Sequence, residues 1–459
     1  MAVFSLPALV LAALGLPLSM YLPNLYVENV GIPATAAGTV FMLLRFWDVV
    51  TDPTLGVISD RFAPPFGRRR SWVVASVPIL AVSVWMAFVP LPGADALYLA
   101  LWLFVLYVGY TMIQIAHLAW SAELAHDAAD RGRLLAWREI AVVIGIVLVL
   151  LVAAITESGV PRDMVQEVRA DAVRGMALFI VILLPLTVGL AVAMVPEPRH
   201  ETMPITDWRA AALAVVRNPG LARLVVSDVL YKASTAVTGT LFLWFMAARL
   251  DLARFASLAL LLYFVAALIG MPVWMWITRH IGKRRAYIAS VIVPALMVFP
   301  LLFLGGVTPL LPGGEMPVRL DLGFVAVADT LTPDQIAGLI GVILYGVNYG
   351  AAPYLARALC ADIADADYRA SGQRRTGMFY SFLTLTEKTG YAVGVGFSLI
   401  MLDIVGFETG RGASNSAEAE FALACLYVIP TVVLLIAAGI VMMNFRGPGG
   451  AAGPERPKD

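Results

Sequence analysis

The chain has 459 residues, no net charge at pH 7, 60% hydrophobic residues and only 14% charged residues. Soluble domains average roughly 45–50% apolar and 25% charged residues, so this composition excludes a simple soluble fold and indicates a membrane protein. The neutral charge balance gives no reason to expect a nucleic acid as partner. The two cysteines, Cys360 and Cys425, provide neither a disulfide framework nor a metal-ligand spacing.

Apolar runs of about 20 residues, the length that crosses a bilayer, recur along the whole chain. The first run lacks the basic start and the cleavage site of a signal peptide, so residues 1–27 are expected to remain as a helix. Twelve spans would place both termini on the same side of the membrane. The expected spans are residues 4–27, 33–59, 73–92, 96–124, 137–156, 174–195, 222–248, 253–278, 286–306, 336–361, 377–403 and 419–444.

The loops predict the orientation and the division of the chain. Most of the 32 Lys and Arg residues lie in loops on the side of the two termini, and basic loops stay cytoplasmic, so both termini are expected in the cytoplasm. Residues 196–221 are the expected cytoplasmic linker between an N-terminal half, 1–195, and a C-terminal half, 222–445. Residues 446–459 are expected to form a disordered tail, and 307–335 a long outer loop rich in Pro and Gly.

The two halves repeat each other. Residues 53–70, which end in GRRR, parallel residues 272–285, which end in GKRR. Repeated six-helix halves around a central site are the architecture of secondary transporters. Asp48 and Asp52 have apolar residues opposite them in the second half, which indicates that they serve a site rather than the shared scaffold.

Asp48 and Asp52 lie four residues apart in the second span and therefore share one helix face. A carboxylate at bilayer depth costs about 2.5–3.5 kcal/mol and two like charges repel, so a shared monovalent cation or proton is expected between them. Thr51 adds a hydroxyl, and Pro53 is expected to weaken the helix and free carbonyls as further ligands. Alternatively, Arg45 neutralises Asp48 while Asp52 caps or braces a loop.

Later spans carry further charges. Asp228 and Lys232, again four residues apart, are expected to form an internal ion pair, with a substrate role as the alternative. Arg357 has no acid within the turn before it, so it is expected to meet an anionic substrate group or a buried acid from another helix. A polar and aromatic wall is expected beside it, although such residues more often pack than bind: Tyr345, Asn348, Tyr349 and Tyr354.

Three segments resemble the glycoside–pentoside–hexuronide:cation symporters, the melibiose-permease-like branch of the major facilitator superfamily. They are RFWDVVTDPTLGVISDR with GRRRSW (within 45–72), AELAHDAADRGRLLAWRE (122–139) and ADIADADYRASGQRRTGMFYSFLTLTEKTGYAVG (361–394). The resemblance covers essentially the whole chain. It implies an all-α membrane protein with the major facilitator fold, twelve transmembrane helices in two pseudo-symmetric six-helix bundles, and cation-coupled symport by alternating access.

The resemblance also implies roles for single residues. Asp48 and Asp52 would bind the coupling ion, Na+ or H+, with Thr111 as a further ligand; no other metal or cofactor is expected. Lys388 would couple the ion to transport and could meet the acidic pair across the interface between the halves. Its alternative partner is Glu387, but adjacent helical residues face different directions.

The acids that bind sugar hydroxyls in relatives are absent, since Ala12 and Gln114 stand at their positions. Arg138 takes the place of a family arginine that contacts substrate. His117 stands where relatives have an aromatic residue, and it either serves substrate or protons or packs as a neutral side chain. The candidate substrate-binding residues are Gln114, His117, Arg138, Tyr349 and Arg357, and the candidate gating residues are Asp60, Arg61 and Arg68.

A small sugar or glycoside is the expected substrate. The first span contains no acid, so a lysolipid or another amphiphile is the alternative. A membrane receptor or scaffold that has lost transport is a second alternative. No nucleophile–base pair, metal-ligand cluster or phosphate-binding glycine loop indicates an enzyme. The chain is expected to act as a monomer in the lipid bilayer.

Overall fold

The computed structural model describes the chain except for residues 62–66, 125–127, 159, 161–163, 198–215, 307–309, 322–325, 373–375, 410–412 and 446–459. The side chains of Asp52, Asp60 and Arg61 also lie outside the described part, as do the expected tail and most of the expected linker. In the described ranges the protein is almost entirely helical, and nine helical stretches are long and apolar enough to span a membrane.

The N-terminal half contains six long helices, one for each expected span. They are α1 (Ala2–Asn24), α2 (Ala34–Arg61), α3 (Arg68–Phe88), α4 (Ala96–Leu124), α5 (Ala128–Glu157) and α6 (Val165–Met194).

The C-terminal half has the same order, but its fourth span is divided. Its helices are α7 (Pro219–Trp244), α8 (Ala256–Ile281), α9 (Lys283–Val298), α10 (Pro333–Gly346), α11 (Ala351–Ser371), α12 (Thr376–Ile404) and α13 (Ala417–Met443).

Three details differ from the sequence-based expectations. The tenth span was expected as one helix, but turns at 347–350 separate α10 from α11. The outer loop contains an antiparallel hairpin of β1 (Met316–Asp321) and β2 (Ala326–Leu331). Pro53 does not interrupt α2, which is continuous through it, because a proline removes one donor while the neighbouring turns keep theirs.

The helices pack as two bundles of six spans, which is the major facilitator fold. Contacts within each bundle are extensive, and the bundles meet mainly through three helix pairs: α2 with α12, α5 with α8, and α1 with α7. Exchanging the halves turns the second span into the eighth and the fifth into the eleventh. The α2–α12 and α5–α8 interfaces are therefore equivalent under the internal pseudo-symmetry.

The repeated basic segments form equivalent turns. Gly67 precedes α3 with φ +110°, and Gly282 precedes α9 with φ +80°, values that favour glycine because it has no Cβ. Arg70 donates to the carbonyl of Val195 just after α6, and Arg284 donates to Met442 near the end of α13 at 3.3 Å. In each half a basic side chain thus caps the last carbonyls of the sixth span, which stabilises that helix end.

Gly145 lets α5 approach α1 closely. A Cβ at Gly145 would lie 2.0 Å from the carbonyl oxygen of Leu9, which is backbone, whereas a Cβ at Gly189 of α6 would meet nothing within 4 Å. We therefore expect Gly145→Ala to lower the free energy of unfolding by about 1–3 kcal/mol through overpacking.

Gly189→Ala is the matched control, and it is expected to leave stability unchanged or slightly higher because alanine favours helix. Thermal unfolding of the detergent-purified variants measures both. Equal unfolding temperatures would contradict the close approach of α1 and α5.

Candidate functional site

The centre of the protein is a buried ion pair between the two halves. Asp48 lies midway along α2 with 1% of its side chain exposed, and Lys388 of α12 places Nζ 2.8 Å from Asp48 Oδ2. The hydroxyl of Thr111 on α4 donates to Asp48 Oδ1 at 2.8 Å. A buried carboxylate needs such partners because its loss of hydration is otherwise uncompensated.

Other groups near Asp48 play smaller parts. The nearest Arg45 nitrogen is 4.0 Å from Oδ2, and its guanidinium stacks 4.7 Å above the centre of the Tyr107 ring. Arg45 is therefore a secondary partner, and Lys388 is the closer counter-ion. The Thr51 hydroxyl donates to the backbone carbonyl of Asp48 at 3.2 Å. Asp52, one turn further along α2, has its side chain outside the described part.

The residues beside Lys388 connect α12 to α7. Lys232 of α7 lies 3.8 Å from the carboxylate of Glu387, so Glu387 faces a different direction from Lys388. Asp228 is 1% exposed and accepts a hydrogen bond from the Thr386 hydroxyl. The expected direct contact between Asp228 and Lys232 is thus not among the ion pairs of the described residues, although their charges still attract each other at longer range. Asp228 and Lys232 share a face of α7, but α12 packs against that face and supplies Thr386 to Asp228 and Glu387 to Lys232.

A cavity of about 290 Å³ lies between the bundles, next to the ion pair. Its lining on α1 runs from Ala8 to Met20 and its lining on α5 from Arg138 to Ile146, which is the middle part of each helix. One wall is apolar and is formed mainly by α1, and the other is polar and charged. The apolar wall includes Ala8, Leu11, Ala12, Leu16, Val142 and Ile146, and the polar wall Arg45, Tyr110, Gln114, Arg138, Glu139, Tyr349, Arg357, Glu387, Lys388 and Tyr391.

Arg357 meets an acid from the opposite half. Its Nη1 lies 3.4 Å from Glu139 Oε1, and both side chains are about half exposed, at 53% and 54%. This contact joins α11 to α5 across the cavity. Arg138 differs, because its buried Nε has no hydrogen-bond partner among the described residues. No carboxylate of the described residues lies within ion-pair distance of Arg138, so it is the cavity cation that can receive an anionic group.

The candidate substrate residues separate into two groups. Gln114, Arg138, Tyr349 and Arg357 line the cavity. His117 is fully buried away from it: its Nε2 hydrogen-bonds the Phe4 carbonyl at 2.7 Å, and the two rings stack with centroids 4.3 Å apart. The position of His117 favours the packing alternative.

The gating candidates lie at the N-terminal side of the membrane. Arg68 begins α3, and the side chains of Asp60 and Arg61 lie outside the described part. Several cavity residues were not anticipated from the sequence, among them Tyr110, Glu139 and Tyr391. Helical periodicity offers a signal for Tyr391, since it follows Lys388 by three residues and shares its face. Glu139 follows Arg138, and only the position of α11 reveals its role.

Comparison with known proteins agrees with this architecture. A family model described as MFS/sugar transport protein matches residues 3–446. The chain is 20% identical, over 92% of its length, to the sodium-dependent lysophosphatidylcholine symporter 1 of Xenopus tropicalis, covering 82% of that protein. It is 22% identical, over 93% of its length, to the glucuronide carrier protein homolog of Escherichia coli, covering 86% of it. The crystal structure of a D-xylose-proton symporter superposes with a TM-score of 0.69 at 14% identity, covering 98% of both chains.

The buried ion pair gives a stability prediction. Among the described side chains, Lys388→Met leaves the buried Asp48 carboxylate with Thr111 and the more distant Arg45, so we expect a loss of about 3 kcal/mol. The double variant Asp48→Asn with Lys388→Met removes both charges and should regain most of that loss.

The control is Lys283→Met, which breaks an ion pair with Asp362 whose partners are 45% and 38% exposed and should cost less than about 1 kcal/mol. Thermal unfolding of all variants at one pH and salt concentration makes the comparison. A double variant less stable than Lys388→Met would rule out an uncompensated charge as the cause.

Proposed function

The chain belongs to the MFS/sugar transport protein family, and on that premise we propose that a cation bound at Asp48 drives the transport of a sugar or glycoside through the central cavity. The protein is a multi-pass membrane symporter of the major facilitator superfamily and not an enzyme. The observation that carries the proposal is the contact of Lys388 with Asp48 beside the cavity. In this contact the Lys388 ammonium competes with a coupling cation for the Asp48 carboxylate.

The Lys388 ammonium stands where a coupling cation would bind. Na+ prefers hard oxygen ligands, and Asp48 and Thr111 supply a carboxylate and a hydroxyl at one point. Asp52 is the proposed second carboxylate. A cation that enters this site displaces the ammonium from Asp48, and Lys388 also lines the cavity, so cation binding changes the charge that a substrate meets. By linkage, substrate binding then changes the cation affinity by the same factor.

The cavity position suits alternating access. It lies at the middle of the two bundles, while α2 and α12 pack closely on the side away from the N-terminus, where Gly38 meets Leu399. We infer from the basic loops that the N-terminal side is cytoplasmic. In this arrangement the described conformation is inward-facing, and Asp60, Arg61 and Arg68 are proposed to act when the cytoplasmic side closes.

Arg138 and the apolar wall define the proposed substrate. Gln114 and Tyr349 can hydrogen-bond sugar hydroxyls, and the unpaired Arg138 can bind a carboxylate or another acid group. A glycoside with an acidic group fits these contacts. The apolar face of α1 also supports an amphiphile as a second candidate, and the lysophosphatidylcholine symporter is a relative at 20% identity.

The cation site has a direct test. Ligand binding stabilises a protein by about 2.7 kcal/mol at 100 times the dissociation constant, so NaCl, compared with choline chloride, should raise the unfolding temperature of the purified protein. We expect Asp48→Asn and Asp52→Asn to abolish this increase.

Asp171→Asn is the control, because Asp171 is a 63% exposed carboxylate paired with Arg174. If acidification and not Na+ produces the Asp48-dependent increase, the coupling ion is a proton. An increase that persists unchanged in Asp48→Asn would overturn the site.

The substrate class is tested with matched glycosides. A hydrogen bond to a charged group contributes about 1.5–3 kcal/mol, so Arg138→Gln should weaken binding of p-nitrophenyl glucuronide roughly tenfold to a hundredfold. Binding of the neutral p-nitrophenyl glucoside should change little.

Arg133→Gln, an exposed arginine on the same helix, is the control. Ligand-induced stabilisation measures the affinities, with lysophosphatidylcholine as the third ligand. Stabilisation by the lysolipid alone would favour the amphiphile over the glycoside.

A further inference from the structure

The outer side of the protein, away from the N-terminus, holds two carboxylates at equivalent positions. Asp403 is the penultimate residue of α12, the eleventh span, and Glu157 is the last residue of α5, the fifth span. Each lies at the start of a helix from the opposite half, α2 for Asp403 and α8 for Glu157. Exchanging the halves converts one arrangement into the other.

Asp403 binds the first turn of α2. The backbone N–H of Thr35, the second residue of α2, donates to Asp403 Oδ2 at 2.6 Å, and the Thr35 hydroxyl donates to the same oxygen at 2.5 Å. The first amides of a helix have no partner within the helix and form the positive end of its dipole. The carboxylate therefore satisfies an amide and a dipole that belong to the other bundle.

Glu157 has the corresponding place at α8. It is 3% exposed and faces the hydroxyl and backbone amide of Ser257, the second residue of α8. Neither carboxylate oxygen makes a hydrogen bond within the described residues, so its attraction to the helix end is electrostatic. Arg169 strengthens the junction, with Nε 3.7 Å from Glu157 Oε1 and Nη2 3.5 Å from the carbonyl of Ala253.

We propose that Asp403 and Glu157 are two pseudo-symmetric latches that hold the outer gate closed. The proposal rests on alternating access, because opening toward the outside must separate α2 from α12 and α8 from α5. Each separation removes a carboxylate from a helix N-terminus in the other half. At the Glu157 latch, opening also breaks the contact of Arg169 with the Ala253 carbonyl of the other half, while Arg169 keeps Glu157 because both belong to the N-terminal half. Both latches therefore favour the closed outer gate, and they act on its two equivalent seams.

The neighbouring contacts show that these seams are tight. A Cβ at Gly38 of α2 would lie 2.7 Å from Leu399 Cβ of α12, and one at Gly396 would lie 2.7 Å from Met42 Cβ. Beside the other seam, the hydroxyl of Tyr21 on α1, in the same half as α5, lies 2.8 Å from the hydroxyl of Ser257 on α8. The latches thus lie at the outer ends of close helix pairs. Because these pairs are either packed together or separated, the loss of one carboxylate charge shifts the balance between the closed and the open gate.

The test measures the distance across the outer gate. Spin labels are attached at Leu91→Cys in the N-terminal half and Glu315→Cys in the C-terminal half, both exposed residues on the outer side, in a background in which Cys360 and Cys425 are replaced by alanine. Double electron–electron resonance then gives the distance distribution of the full chain in lipid nanodiscs. The latch variants are Asp403→Asn, Glu157→Gln and their combination.

Each single variant is expected to raise the ratio of long-distance to short-distance populations about tenfold, which corresponds to about 1.4 kcal/mol. Asp403→Asn weakens two hydrogen bonds to a charged group, and Glu157→Gln removes the attraction of a carboxylate to a helix N-terminus. The double variant should approach the product of the two effects, because the sites are independent. Glu408→Gln is the matched control: it neutralises an exposed outer carboxylate just after α12 and should leave the distribution unchanged.

Thr35→Val and Ser257→Ala change the residue at the helix start that faces each carboxylate. They are expected to shift the distances in the same direction, and they replace a carboxylate variant that does not fold. A double variant whose distribution matches that of Glu408→Gln would overturn the proposal, and so would a shift toward shorter distances. The measurement needs neither substrate nor cation. If the latch variants shift the distances but Na+ does not stabilise the protein through Asp48, only the proposed cation site is contradicted. If Na+ does stabilise the protein through Asp48 but the latch variants leave the distances unchanged, only the latches are contradicted.

Discussion

The structure depends on the cost of holding an ionised carboxylate at the middle of a membrane. Asp48 is tolerated there because Lys388 and Thr111 both bind its oxygens. Since Lys388 belongs to the other half, the same contact that stabilises Asp48 also joins the two bundles. Any cation that takes the place of the ammonium changes the interface between the halves, and this physical link is what a symporter needs.

Helix α12 carries this link further. Lys388 contacts α2 and the adjacent Glu387 lies near Lys232 of α7, so a rotation of α12 changes both contacts together. Glu387 and Lys388 also line the cavity. The cation site, the substrate cavity and the contact between α12 and α7 therefore share one helix. An ion bound on α2 can act on the cavity without a long chain of intermediate residues.

The internal repeat separates the scaffold from the site. The turns at Gly67 and Gly282, and the caps supplied by Arg70 and Arg284, recur in both halves because both halves must end the same helices in the same way. The central charges do not recur. Symmetry governs the parts that move as bundles, while the cation site uses one half for the carboxylate and the other for its counter-ion.

The sequence alone predicted twelve spans, because hydropathy over about 20 residues depends on local composition, and nine helical stretches of the described residues are apolar enough to cross a membrane. The sequence also identified Asp48 and Lys388 as charges that needed partners. The tertiary structure decided which partners they have. It gave Asp228 a direct contact with Thr386 and Lys232 one with Glu387. It also packed His117 against Phe4 and brought Glu139 to Arg357. Spacing within a helix predicts which side chains share a face, but the groups opposite that face come from distant parts of the chain, and only the packing of the helices brings them there.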